Sequence, residues 1–130
     1  MQQNLNVKNI EFLGHVSDEE LSKLYRQAAA TYVPSLMEGF GLTSLEAMKM
    51  GSLVAVSKIP SLEEVCGGHA FYFDPTDVIS IKKTMEEIIG LQDSDKKKEI
   101  IEGKKHAESF SWEKAARLTL DAYQSALRGS

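Results

Sequence analysis

Residues 38–46 read "EGFGLTSLE", two carboxylates flanking a pair of glycines that bracket Phe40. Upstream lies the β-branched and aromatic run "ATYVPS" (30–35), and downstream "SLEAMKM" (44–50) has helical character and stops at Gly51. The glycines are therefore expected at a strand-to-helix turn, which in a parallel sheet is the ligand-facing edge. Glycine tolerates positive φ and lets a backbone or ligand come close. The first N–H groups of the helix point outward with partial positive charge, a ready place for a phosphate. Such a helix end contributes roughly 0.3–1 kcal/mol toward an anion, up to ~2 kcal/mol when partly buried.

The pattern repeats on both sides. "VKNIEFLG" (7–14), "LVAVS" (53–57) and "AFYFD" (70–74) are further short apolar runs, separated by stretches with helical spacing. This is the rhythm of parallel βαβ units and makes the class α/β. About four strands are expected, with helices on both faces and a run of helices after "DPTD" (74–77), broken near Gly90 and around Gly103. Helix starts are marked by Ser17 with Glu20, Ser61 with Glu64, and Ser111 with Glu113 in the first turn. Leu21, Leu24, Tyr25 and Ala28 form one stripe expected in the core. Val78, Ile81, Met85, Ile88 and Ile89 form a second, and the last helix carries Trp112, Ala116, Leu120, Tyr123 and Leu127 on one face. "DKKK" (95–98) reads as a solvated face.

At 130 residues and 42% hydrophobic, the chain fits one domain, residues 1–130, and no second full one. A formal net charge of -4 provides no broad basic field, so nucleic acid is not an expected partner and an anion must be held by local devices. The single cysteine, Cys66, cannot form an internal disulfide and is expected to be a buried small hydrophobe. Without an apolar leader or long apolar run, the reading is cytoplasmic, with peripheral membrane attachment left open for a longer form. His15, His69 and His106 have no metal-ligand spacing, and no metal site is expected.

Each glutamate of the loop has two readings. "TSLE" fits a capping box with Thr43 as N-cap and Glu46 reaching back to it. The same carboxylate, one turn into the helix and leaning toward its start, can also accept both hydroxyls of a vicinal diol such as a ribose. Glu38 is either a solvated loop residue or a ligand-reading group beside the glycines.

"PSLMEGFGLTSLEAMKMG" (34–51) resembles the E-x7-E signature of retaining GT-B glycosyltransferases, glycosyltransferase group 1 or family 4, with Glu38 and Glu46 as its two glutamates. "IEFLGHVSDEELSKLYRQAAATYVPS", "GSLVAVSKIPSLEEVCGGHAFYFDPTDV" and "FSWEKAARLTLDAY" extend the likeness over nearly the whole chain. The resemblance implies an incomplete Rossmann-like GT-B C-terminal domain. It implies that Glu38 contacts donor-sugar hydroxyls near the reacting face, with Gly39, Phe40 and Gly41 facing the sugar. Leu42 and Thr43 would hold the diphosphate through their N–H groups, and Glu46 the ribose. Leu53 and Thr43 stand where many relatives have proline, and neither change removes a ligand group.

The resemblance also marks what is missing: the "GR…KG" segment that grips donor phosphates has no counterpart, nor has the N-terminal acceptor domain. The expected entity is thus a carboxyl-terminal fragment, with Met1 a start imposed on it. It would bind a nucleotide diphosphate sugar as substrate, with no metal or other cofactor, and be inactive alone. The alternative is a non-catalytic nucleotide- or protein-binding α/β module. A dehydrogenase-like domain fits poorly, because "GFG" does not continue as GxGxxG and "LVAVS" ends in Ser57 rather than an acid. In a doubly wound order, "IEFLG" would be separated from "ATYVPS" by two absent strands. Either those two segments pair directly, or an exposed sheet edge makes a homodimer.

Overall fold

The computed structural model describes residues 9–128. In chain order it contains α1 (Asp18–Gln27), β1 (Thr31–Val33), α2 (Leu42–Lys49), β2 (Val54–Ser57), α3 (Pro60–Cys66), β3 (Phe71–Phe73), α4 (Val78–Gly90), α5 (Asp93–Glu108) and α6 (Trp112–Arg128). The three strands form one parallel sheet in the order β1-β2-β3. Thr31 faces Val54 and Val33 faces Val56, while Ala55 faces Phe71 and Ser57 faces Phe73. The class is α/β, as expected.

β2 explains why the middle of the sequence is continuously apolar rather than alternating. Val54 and Val56 pack on one side with Tyr25 of α1, Leu45 and Met48 of α2, Leu62 and Val65 of α3, and Ala107 of α5. Leu53, just before the strand, and Ala55 pack on the other with Phe73 and with Ile88 of α4. A central parallel strand is buried on both faces and takes apolar groups on both, and its one polar residue, Ser57, is satisfied by donating to Val33 O at 3.3 Å. Each large side chain buried this way contributes roughly 1.5–3 kcal/mol. Helices thus cover both faces, with α2 and α3 also serving as the crossovers that parallel strands require.

Among the described residues the sheet has three strands, not about four. Residues 10–14, "IEFLG", are not a strand, and Ile10 and Phe12 are exposed. An extended segment becomes a strand only by exchanging ladder bonds, and among the described residues the outer edge of β1 has no strand beside it. The direct pairing expected between this segment and β1 is not made, so the strand assignment for residues 10–14 is corrected. Residues 7 and 8 of that run lie outside the described residues.

Helix boundaries follow local chemistry, with some corrections. Ser17 caps α1 as expected: its backbone N–H donates to Glu20 Oε2 at 3.1 Å and Glu20 N–H donates to Ser17 Oγ at 3.3 Å. The Ser17 N–H bond and a second from Ser17 Oγ to Glu20 Oε2 at 3.0 Å hold the Glu20 carboxyl below its ordinary value. Ser111 Oγ accepts the Lys114 N–H at 3.1 Å, so the start of α6 also holds. Ser61 does not cap α3, because Pro60 occupies the first helical position, where its missing N–H costs nothing. Gly90 ends α4, but Gly103 lies buried within α5, packed against Met48 of α2.

The stripes are narrower than expected. In α1 the inward line is Leu21 and Tyr25, with Leu24 and Ala28 exposed. In α4 it is Ile81, Thr84 and Ile88, at i, i+3 and i+7, while Val78, Met85 and Ile89 face out. One strand-edge contact buries a single line of a helix, not a third of its circumference. No residue of α6 is buried, and Trp112, Leu120, Tyr123 and Leu127 are all exposed.

Candidate functional site

β1 ends at Val33, and the chain passes through Pro34–Phe40 before turning at Gly41 into α2. Gly41 is the N-cap, with φ 95° and ψ 37° in the left-handed region, and no side chain caps the helix. That is the arrangement the two glycines suggested, with one correction. Thr43 is inside the helix rather than at its cap, so the expected capping box with Glu46 does not form. Only a glycine serves at position 41. Besides the positive φ, a β-carbon there would fall 2.6 Å from Cδ2 of the buried Leu62 of α3.

Glu46, released from a capping role, is exposed on the second turn of α2. It forms a wall common to two cavities. One, of about 690 Å³, lies between α2 and the α5–α6 junction and is bordered by Phe40, Leu42, Lys49, Phe110 and Trp112. The other, of about 250 Å³, lies between α1 and α2 and is bordered by Asp18, Leu21, Tyr25 and Met50. Burial, with the Glu46 charge second, pushes the Tyr25 phenol above its ordinary value. Glu38 is half-buried and accepts a hydrogen bond from Ser35 Oγ at 3.1 Å.

The expected residues therefore divide. Phe40, Leu42 and Glu46 meet at the larger cavity, whereas Glu38, Gly39, Gly41 and Thr43 border neither cavity. Gly41 is buried, and Gly39 has open space around it, with nothing within 4 Å of a β-carbon placed there. Sequence reading missed Lys49, whose Nζ donates to Phe110 O at 3.1 Å and ties α2 to the end of α5 across 61 residues. It also missed an aromatic line from the loop into the core. Phe40 meets Phe110 edge-on at 6.3 Å, Phe110 meets His106 at 5.3 Å, and His106 stacks on His69 at 4.6 Å. His106 Nε2 lies 2.7 Å from Val65 O and, facing a carbonyl, carries the proton. No local pattern announces contacts of this range. Among the described residues, no group of three His, Cys, Asp or Glu is placed to hold a metal, and no helix is long and apolar enough to cross a membrane.

This architecture and loop meet a match in known proteins. The family model for glycosyl transferases group 1 matches residues 1–107. The chain belongs to the group 1 glycosyltransferases. Within this family it is 42% identical over 117 residues to O-antigen chain mannosyltransferase B of Escherichia coli, covering 88% of this chain and 30% of that protein. It is 37% identical over 130 residues to the serotype-specific mannosyltransferase WbdA of Escherichia coli, covering 97% of this chain and 15% of that protein. Among solved structures, sucrose-phosphate synthase (tll1590) from Thermosynechococcus elongatus superposes with a TM-score of 0.77 at 25% identity, covering 92% of this chain and 31% of that one. The chain thus spans less than a third of the length of each of these group 1 relatives and of this neighbour. The fold is the Rossmann-like C-terminal part of a GT-B glycosyltransferase.

Proposed function

We propose that the chain is the donor-binding part of a retaining glycosyltransferase that moves a sugar from a nucleoside diphosphate sugar to an acceptor. The observation that carries this reading is the uncapped start of α2 behind Gly41, with Glu46 exposed on the next turn and free of any capping bond. Free N–H groups at a helix start suit a diphosphate, and a carboxylate within a turn of them suits a ribose diol. Leu42 and Thr43 supply the N–H groups, Glu46 reads the ribose, and Glu38 with Gly39, Phe40 and Gly41 faces the donor sugar. Glu38 is the catalytic candidate, already oriented by Ser35. The names of two E. coli relatives support mannose as the transferred sugar. The helix end and carboxylates suffice for these contacts, so no metal is called for in donor binding. The 130 residues span less than a third of the length of these relatives, and transfer requires both reactants held in register, so the 130-residue chain by itself is expected to be inactive.

The test is titration of UDP, GDP and ADP into the 15N-labelled chain. Amide shifts confined to residues 41–46 and their neighbours, saturating in the millimolar range, are expected. Shifts absent with all three nucleotides, or spread away from the start of α2, overturn the reading.

A further inference from the structure

Ser44 is a polar residue with no exposure, one turn into a helix whose start faces the solvent. Its hydroxyl is fully engaged. Ser44 Oγ donates to Gly41 O at 2.6 Å and accepts from Cys66 Sγ at 3.3 Å. Gly41 O also accepts the Ser44 N–H at 3.1 Å. A thiol on α3 is thereby linked through one hydroxyl to the carbonyl of the residue that starts α2. Cys66 itself has no exposure.

The geometry of a peptide unit gives this link a consequence. The carbonyl of Gly41 and the N–H of Leu42 belong to one rigid plane and point in opposite directions across a trans bond. There is no cis peptide among the described residues. Pulling Gly41 O inward therefore turns Leu42 N–H outward. Gly41 is the residue least able to hold that plane alone, since glycine has the widest choice of φ and ψ. We propose that Ser44, held from behind by Cys66, is a positioning residue that aims the Leu42 N–H at the ligand. The claim rests on the donor-binding reading for the identity of that ligand, a nucleoside diphosphate, but the aiming of the peptide plane stands apart from it.

The surroundings fit this role. Leu62, one turn before Cys66 on α3, packs against Gly41 from the same side, so the turn is held by a hydrogen bond and by a van der Waals floor. Burial pushes the Cys66 thiol up, opposed by the Ser44 hydrogen bond, so Cys66 keeps the proton it donates. An ordinary serine bonding back within its own helix would need no donor from another element.

Three variants of the 130-residue chain, Ser44→Ala, Cys66→Ala and Cys66→Ser, decide the matter by two measurements. The first is hydrogen exchange at the amide of residue 44, which is bonded to Gly41 O, against that at residues 54–56 in β2. The second is the Kd for GDP and UDP by NMR titration. In Ser44→Ala, exchange at residue 44 is expected to quicken about 10-fold with β2 unchanged, and nucleotide binding to weaken about 3- to 10-fold, the scale of one hydrogen bond. Cys66→Ala is expected to shift both in the same direction by less, and Cys66→Ser, which keeps a donor, to restore both. Should Ser44→Ala not fold, the two Cys66 variants carry the comparison. Equal quickening in β2 and at residue 44, or unchanged exchange in every variant, overturns the proposal. If the parent chain binds neither nucleotide, the donor reading falls, and the exchange pattern alone still supports or overturns the positioning role.

Discussion

Gly41 and Leu62 are packed so closely that a β-carbon on the former would fall 2.6 Å from Cδ2 of the latter, although the two lie in different βαβ units. Leu62 has no exposure and cannot swing away into solvent. Gly41→Ala is therefore expected to incur two costs, roughly 1–2 kcal/mol for the left-handed backbone and about 1–3 kcal/mol for overpacking. A urea or thermal melt of the variant measures the sum. In a double-mutant cycle with Leu62→Ala, the overpacking part is recovered and the backbone part is not. Simple additivity would show that Leu62 does not press on the turn.

Gly103 predicts the opposite sign. It lies inside α5 at an ordinary helical φ, and an added β-carbon would meet Met48 Cγ at 3.7 Å and His69 O at 3.8 Å, both normal contacts. Gly103→Ala is expected to stabilise by about 0.5–1 kcal/mol, the helix-interior difference between the two residues. Gly103→Leu, whose branches have no space between α5 and Met48, is expected to destabilise. A lower melting temperature for the alanine variant would contradict the packing described.

Much of this was legible before any coordinates. The glycine pair, the β-branched runs and the Ser17–Glu20 box are local signals, and local chemistry decides them: α1, the turn before α2 and the parallel class all emerged where expected. What was not legible depended on distant partners. Residues 10–14 have strand composition, but a ladder needs a neighbour, and composition cannot say whether one is present. Gly103 looked like a break because its packing partner, Met48, is 55 positions away. Thr43 looked like a cap because threonine with glutamate three residues on is a good capping box; the glycine at 41, held by Ser44 and Leu62, starts the helix earlier. At the candidate site, the glycine turn before α2 could be read from spacing, but the Ser44–Cys66 link spans 22 residues and leaves no trace in either local pattern.

Stability is expected to fall in alkali. Burial lifts the Cys66 thiol above its ordinary 9.0, and lifts the Tyr72 phenol from 10.0 to about 12, with the Cys66 and Glu63 charges adding to it. Tyr72 also donates a hydrogen bond to Gly67 O. The unfolded chain loses these protons at ordinary pH values while the folded chain keeps them, so the folded state binds more protons and loses stability as pH rises. The contribution is complete below about pH 9 and disappears progressively as pH approaches about 12. Urea midpoints across that range are expected to decline, and Tyr72→Phe to decline less steeply from a lower neutral starting point. Parallel slopes for the two proteins would remove Tyr72 from the account.

Glu46→Gln separates the two readings that the sequence left open. Had Glu46 closed a capping box on Thr43, neutralising it would remove a helix-end bond and lower the melting temperature. The structure has Gly41 at the cap, no side-chain bond there, and Glu46 exposed between two cavities. Its substitution is therefore expected to leave the melting temperature within experimental scatter of the parent. Ligand binding is where the change should register, because a carboxylate accepts from both hydroxyls of a diol while the amide offers one oxygen and a pair of donors. Hydrogen bonds to a charged acceptor are the stronger class, so nucleotide affinity should weaken roughly 10- to 100-fold. The loss should vanish when inorganic pyrophosphate, which has no ribose, replaces the nucleotide in the titration. Equal losses for pyrophosphate and nucleotide would mean that Glu46 acts on the helix end itself, and the assignment of the ribose to it would be wrong.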